Sequence, residues 1–137
     1  MDPTENTKIV QECYEKFGAG DIEGLLSRLN DNIDWTTPTV ENAGFSGTRK
    51  GKTAVAEFFT QLAAEETFSR FEPLEFVAQD DKVVVIGELA STVTTTGKAF
   101  ETEWVHIFHL ANGKITSFKE FFDTAKTAKA FQLTATA

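Results

Sequence analysis

The chain has 137 residues, enough for one domain that buries about two thirds of its unfolded surface. With 41% hydrophobic and 25% charged residues, its composition is that of a folded globular protein rather than a disordered one. A net charge of −8 without a cluster of Lys and Arg argues against nucleic acid and anionic membrane surfaces as partners.

The expected location is the cytoplasm, with no membrane segment. No apolar run approaches the roughly 20 residues of a membrane span. The amino terminus has neither the basic start nor the apolar core of a signal peptide. A single cysteine, Cys13, cannot form an internal disulfide, which favours a reducing compartment.

The amino-terminal part of the chain predicts two helices. Apolar residues recur at helical spacing between about Thr4 and Ala19, and glycines follow that can end this helix. Asp21 can cap the next helix, because its carboxylate can accept a hydrogen bond from a first-turn N–H group. That second helix carries one apolar stripe, formed by Ile22, Leu25, Leu26 and Leu29.

A short strand, a loop and a third helix are predicted next. The strand covers Ile33–Thr37 and ends at Pro38. Residues 41–51 are rich in glycine and polar side chains, which predicts a loop that could act as a lid. The third helix runs from about Thr53 to Glu65 and buries an apolar face formed by Ala54, Val55, Phe58, Phe59 and Leu62.

Strands dominate the second half of the chain. A strand is predicted over Phe68–Gln79, where Pro73 indicates a sheet edge or a bulge. The buried run 83–86 leads into a strand that ends near Thr96, and a long hairpin follows. Helices followed by an antiparallel meander predict one α+β domain over residues 1–137, with a peripheral tail from about 124 to 137. A bent sheet around a helix leaves a conical interior suited to an apolar ligand.

The hairpin joins two runs of aromatic and β-branched residues between Trp104 and Asp123. We favour a three-residue loop, 111–113, with Gly113 in the left-handed conformation. This loop pairs Trp104 with Glu120 and His106 with Phe118, all on one face of the hairpin.

A two-residue loop is the alternative. It would leave only Asn112 and Gly113 unpaired, move His106 opposite Lys119 and turn Glu120 to the other face of the hairpin. The loop length therefore decides whether His106 and Glu120 can share a site.

Glu120 and His106 are the candidate catalytic residues. A carboxyl group among aromatic rings suits proton transfer next to a carbonyl, and a histidine beside it can hold it in place or donate to an oxyanion. The alternatives are a solvent-facing Glu120 paired with Lys119 or with a residue of a partner chain, and a core His106 bonded to a backbone carbonyl. His109 points to the opposite face from His106, so no metal site is predicted. Without a phosphate loop or dinucleotide fingerprint, no cofactor is predicted either.

Four segments of the sequence resemble one known family. They are Tyr14–Leu26, Ile33–Pro38, Phe45–Gly51 and Trp104–Asp123. In order and spacing they are similar to the SnoaL-like, ketosteroid-isomerase-related branch of the nuclear-transport-factor-2-like superfamily. This resemblance implies a cone-shaped α+β barrel, with the amino-terminal helices in the concave face of a strongly curved, mostly antiparallel sheet. It also implies a homodimer that forms through the outer face of the sheet.

The resemblance does not carry over the steroid isomerase site. Thr37 stands where those isomerases have the catalytic aspartate, and threonine is no base near neutral pH. Cys13 stands at the oxyanion-hole tyrosine, with Tyr14 one step round the helix, and His106 stands at the oxyanion-hole aspartic acid. Glu120 matches the last-strand acid of epoxide hydrolases of this fold, whereas Gly87 and Leu89 replace their Arg-x-Asp pair. Asp123 is a second possible equivalent of the terminal acid in SnoaL-type cyclases.

Three functions remain open at this level. The first is a cofactor-free isomerase or cyclase that acts on a hydrophobic carbonyl compound, with Glu120 shuttling the proton and His106 stabilising the oxyanion. The second is a non-catalytic carrier or sensor, and the third is a dimerisation module with a vestigial pocket. The predicted ligand is small and apolar or aromatic, and the predicted ligand-binding residues are Trp35, Thr37, Phe58, Trp104, Phe108, Phe118 and Phe122.

Overall fold

One mixed sheet and four helices make up the fold in the computed structural model, which describes residues 2–133. The elements are α1 Pro3–Gly18, α2 Ile22–Leu26, β1 Leu29–Thr37, β2 Gly47–Lys50, α3 Lys52–Glu65, β3 Glu66–Gln79, β4 Lys82–Val93, β5 Ala99–Ala111, β6 Lys114–Phe122 and α4 Thr124–Phe131. The strands lie in the order β2-β1-β6-β5-β4-β3, and only β1 and β6 run parallel. The predicted α+β class with a mostly antiparallel sheet is confirmed, but the sheet curls without closing, since β2 and β3 remain its edges.

Side-chain caps set the start of the first two helices. The Asp2 carboxylate accepts from the Glu5 backbone N–H, and Asp21 accepts from the Gly24 N–H at 2.9 Å, as predicted for Asp21. The second helix is shorter than its apolar stripe suggests. It ends at Leu26, and Leu29 instead opens β1, where it pairs with Ile115 of β6. Sheet pairing thus overrides the helical spacing at this position.

The prediction that Pro73 indicates an edge or a bulge is confirmed, and one strand went unpredicted. β3 is an edge strand, and its pairing with β4 shifts register between Pro73 and Glu75, so Pro73 marks both an edge and a bulge. The predicted loop over residues 41–51 contains β2, which pairs with β1. Among residues 2–133 there is no helix long and apolar enough to cross a membrane.

The carboxyl-terminal tail contains a helix that belongs to the core. In α4, Ala130 is 4% exposed and Phe131 is 2% exposed. The Thr96 hydroxyl donates to the Ala130 carbonyl at 2.6 Å, which fixes the helix against the end of β4. The prediction of a peripheral tail is therefore wrong for α4. The rest of that prediction, residues 134–137, lies outside the described residues.

The loop of the β5–β6 hairpin has two residues, so the predicted three-residue loop is wrong. Ala111 pairs with Lys114, and both turn residues have positive φ, 52° at Asn112 and 78° at Gly113. Asn and Gly tolerate this conformation, and a turn of this kind matches the twist of the flanking strands. The local preference of Asn-Gly therefore decided the turn.

A bulge then shifts the hairpin register by one residue. Leu110 pairs with Ile115, but His109 pairs with Ser117, so Thr116 is the extra residue. Beyond the bulge His106 lies directly opposite Glu120, rather than opposite Phe118 as the three-residue loop required. The two residues share a face after all, because the bulge compensates for the shorter turn.

Candidate ligand cavity and catalytic carboxyl groups

An aromatic cavity lies between the inner face of the sheet and the helices. Its volume is about 80 Å³, several times the roughly 10–15 Å³ that one enclosed water molecule needs. Its aromatic lining is formed by Tyr14, Phe17, Trp35, Phe45, Phe58, Phe59, Phe68, Phe71, Phe100, His106, Phe108, Phe118 and Phe122. The interior is therefore not solid, and it suits a small apolar ligand.

Most of the predicted ligand-binding residues line this cavity. They are Trp35, Phe58, Phe108, Phe118 and Phe122. Thr37 does not, because its buried hydroxyl donates to the Phe45 carbonyl at 2.8 Å and ties the end of β1 to the following loop. Trp104 lies behind the cavity, where its ring stacks on His106 at 4.0 Å in space that Gly87 leaves free.

Three side chains form a hydrogen-bonded chain that reaches the cavity from α1, β5 and β6. The Tyr14 hydroxyl lies 2.6 Å from Nδ1 of His106, and Nε2 of His106 lies 2.7 Å from Oε2 of Glu120. Burial raises the pKa of Tyr14 well above its usual range, so the hydroxyl keeps its proton and donates to Nδ1. A neutral His106 ring then carries its proton on Nε2 and donates to Glu120.

This arrangement decides between the alternatives for both residues. The Glu120 side chain is 12% exposed and bonded to His106, so it is not a solvent-facing partner of Lys119. His106 binds two side chains rather than a backbone carbonyl. Because both of its ring nitrogens are occupied, it has no free N–H group for a ligand oxyanion. Its geometry fits a residue that positions Glu120.

A second carboxyl group lines the cavity at the start of β3. Glu66 is 6% exposed, and its Oε1 accepts a hydrogen bond from the Ser91 hydroxyl of β4 at 2.7 Å. Burial raises the pKa of Glu66 to about 7 against the lowering effect of the Ser91 bond, and the charges of Glu120 and Glu65 add to the increase. Glu66 therefore titrates near neutral pH.

Sequence reasoning missed Tyr14 and Glu66 as site residues. Tyr14 follows Val10 by four residues and precedes Phe17 by three, so it belongs to the helical pattern that predicts the first helix, but this spacing does not indicate that its hydroxyl meets His106. Glu66 gave no such signal. It directly follows α3, where the period of the pattern changes from helix to strand, so the direction of its side chain depends on tertiary packing.

The loop before β2 holds an aromatic ring against the cavity. The Glu65 carboxylate accepts from the backbone N–H groups of Gly44 and Phe45, at 2.7 and 3.1 Å. Phe45 is 2% exposed and packs edge-on against Phe58 and Phe131. Phe45 also lines the cavity, so this loop supplies part of the cavity wall, and its role as a lid stays a prediction.

Neither a reactive thiol nor a metal cluster accompanies the carboxyl groups. Burial raises the pKa of Cys13 to about 12, so its thiol stays protonated. Within residues 2–133 no group of three or more His, Cys, Asp and Glu side chains could hold a metal ion. His109 lies near Ser117, with Nδ1 and Oγ 3.0 Å apart. Glu120 and Glu66 are the carboxyl groups that line the cavity among the described residues.

The fold is that of a known class of small α+β proteins. Residues 10–118 match the SnoaL-like domain, and the chain belongs to the SnoaL-like family. No protein of curated function matches it.

Solved structures agree with this assignment. An NTF2-like protein from Burkholderia xenovorans LB400 is 34% identical with a TM-score of 0.88, over 96% of this chain and 99% of that one. An NTF2-like protein from Burkholderia pseudomallei K96243 is 28% identical with a TM-score of 0.87, over 97% and 100% of the two chains. TerC, co-crystallised with polyporic acid, is 28% identical with a TM-score of 0.82, over 93% and 98%.

Proposed function

We propose that the protein is a cofactor-independent isomerase or cyclase that binds a small, flat carbonyl compound in the aromatic cavity. The observation that carries this proposal is the chain Tyr14–His106–Glu120, which ends in a carboxyl group inside that cavity. A pocket that only stores a ligand has no need of a carboxylate held by two further side chains.

Glu120 is the proton carrier in this proposal. Its Oε2 is bonded to His106, whereas Oε1 makes no hydrogen bond with the described residues and can face a ligand. Oε1 takes a proton from the carbon next to the ligand carbonyl, and the electrons of that C–H bond move to form an enolate. In a ligand whose enolate is conjugated with a C=C bond, return of the proton to the far carbon of that bond shifts the double bond and completes an isomerisation.

A cyclisation starts from the same enolate. Its carbon attacks a second carbonyl carbon of the same ligand, a C–C bond forms, and the new alkoxide takes the proton back from Glu120. In both reactions His106 and Tyr14 position the carboxyl group and do not exchange protons with the ligand.

The ligand class has support from one relative. TerC, which shares 28% identity and the same fold, was co-crystallised with polyporic acid. Polyporic acid is therefore a reasonable first probe for this cavity.

A carrier or sensor is the second candidate. Thr37, at the position of the catalytic aspartate in related isomerases, bonds to the Phe45 carbonyl and does not line the cavity. A carrier would use the same rings and leave Glu120 without a chemical role.

The two candidates separate in a screen of wild type beside Glu120→Gln and Glu103→Gln. Glu103 is exposed on β5 and serves as the matched control. Polyporic acid and a panel of aromatic ketones are tested for thermal stabilisation, which reports binding, and for conversion by chromatography. An enzyme converts a hit in wild type and in Glu103→Gln, while Glu120→Gln only binds it. Hits that all three proteins bind and never convert would establish a carrier.

We also propose a homodimer through the outer face of the sheet. The apolar side chains on that face are Val77, Val84, Ile86, Val105, Ile107 and Phe121. Val77 is 57% and Phe121 47% exposed, a pattern typical of an interaction surface.

Sedimentation of the wild type should give a mass of two chains, each of 15.1 kDa. The double variant Val77→Glu, Phe121→Glu should give the mass of a single chain. Thr60→Glu on α3 is the control, and a monomeric wild type would contradict the proposal.

A further inference from the structure

Glu66 is a polar group in the cavity that the proposed proton transfer does not use. It is the first residue of β3, next to Phe68 in the wall of the cavity. The Ser91 hydroxyl donates to Oε1, while Oε2 makes no hydrogen bond with the described residues. The position of Ser91 fixes the carboxyl group and leaves Oε2 for a partner that comes from the cavity.

The surroundings of Glu66 favour its protonated form. No lysine or arginine of residues 2–133 lines the cavity. The titratable groups around it are Glu65 on α3, Glu120 on β6, His106 on β5, and Tyr14 and Cys13 on α1. Burial disfavours ionisation most strongly and the negative charges of Glu120 and Glu65 add to it, so the pKa of Glu66 rises to about 7 although the Ser91 hydrogen bond lowers it.

A neutral carboxyl group has what an enolate needs. Unlike a carboxylate, it carries an O–H donor, and Ser91 already occupies the other oxygen, which puts the proton on Oε2. His106 cannot supply a donor, because both its ring nitrogens are bonded to Tyr14 and Glu120. Without Glu66 the oxygen of the proposed enolate would face mainly aromatic rings, where an unpaired charge is costly.

We propose that Glu66 is the hydrogen-bond donor for the ligand oxygen, with its protonated Oε2 donating to the carbonyl group and, during reaction, to the enolate. This inference rests on the proposed function, since it requires a carbonyl compound in the cavity. It defines the ligand further: an acceptor oxygen faces the start of β3, and the C–H group that loses its proton faces Glu120.

The test compares two neutral probes of similar shape, 1-indanone and its hydrocarbon indane, by titration calorimetry. Neither probe titrates between pH 5.5 and 8.5, so any pH dependence comes from the protein. At pH 5.5 wild type should bind indanone about fivefold more tightly than indane, the effect of one net hydrogen bond. At pH 8.5 Glu66 is ionised, and this preference should disappear.

Two substitutions at Glu66 separate hydrogen bonding from packing. Glu66→Gln keeps an N–H donor that does not titrate, so it should prefer indanone at both pH values. Glu66→Leu has no donor and should show no preference at either. Glu103→Gln should behave like wild type. The contrast between wild type and Glu66→Gln carries the test even if Glu66→Leu proves unstable by circular dichroism.

The outcomes distinguish this inference from the function on which it rests. If Glu66→Leu keeps the preference for indanone, or if wild type at pH 5.5 binds both probes equally, Glu66 is not the donor and the cavity remains a ligand site. If wild type binds neither probe nor polyporic acid, the aromatic ligand cavity and the role of Glu66 are both rejected.

Discussion

Two glutamates in one cavity have opposite surroundings. Glu120 accepts a hydrogen bond from the His106 ring, which is itself held by Tyr14. Glu66 accepts one from the Ser91 hydroxyl. The donor to Glu120 is a ring N–H of His106, which Tyr14 holds in place, whereas the donor to Glu66 is the hydroxyl of Ser91.

The comparison shows how one residue type can supply both a base and an acid. Glu120 is the proposed base, and the hydrogen bond from His106 fixes the orientation of its carboxyl group. Burial beside a serine raises the pKa of Glu66 to about 7, which suits donation.

Removal of the base should have the largest effect. In Glu120→Gln the shape and the bond to His106 can persist, but the amide cannot take a proton from carbon. Turnover of any converted ligand should fall about 10²- to 10⁴-fold, while its dissociation constant changes little. Steady-state kinetics beside calorimetry measures both, and unchanged turnover would remove Glu120 from the mechanism.

The raised pKa of Glu66 should make the free energy of unfolding depend on pH. Between about pH 4.5 and pH 7 the unfolded chain has released the Glu66 proton, while the folded protein retains it. Stability must therefore fall as pH rises through this window, by at most about 3 kcal/mol. Urea unfolding of Glu66→Gln should show that loss removed, so that its advantage over wild type grows with pH. An equal pH dependence in both proteins would contradict the raised pKa.

The neighbouring carboxylate, Glu65, sharpens the comparison because it binds the loop before β2 and does not line the cavity. A glutamine there keeps one acceptor oxygen for the N–H groups of Gly44 and Phe45 instead of two. Glu65→Gln should weaken the loop by about 1–2 kcal/mol and speed amide exchange at both residues. Glu57→Gln, exposed on the same helix, is the control. Unchanged exchange would show that other contacts hold the loop.

The smallest effect is expected at the far end of the chain of hydrogen bonds. Tyr14→Phe keeps the ring that stacks on Trp104 but removes the donor to Nδ1 of His106. Stability should drop by about 1 kcal/mol in urea unfolding. Turnover should decline less than in Glu120→Gln, because Tyr14 acts only through His106. A loss as large as that of Glu120→Gln would mean that Tyr14 contacts the ligand itself.

The hairpin shows how far sequence reasoning reached. Alternation correctly put aromatic residues and His106 on one face, since it depends only on the period of a strand. The register could not be read, because Asn112-Gly113 fixed the turn while the bulge at Thr116 shifted the pairing. The two-residue turn alone would place Glu120 on the opposite face from His106. The bulge shifts the pairing by one further residue, so that Glu120 lies opposite His106 on the same face.

What the sequence by itself determined is most of the helices and strands, the fold class and the aromatic character of the interior. These follow from hydrophobic period, caps and turn residues, which act over a few positions along the chain. The tertiary structure alone decided that Thr37 and Trp104 stay outside the cavity and that α4 enters the core. It also brought Glu66 within reach of Ser91 and Glu120. Such contacts join residues far apart in the chain, and the energies that fix them depend on burial and charge in the folded state.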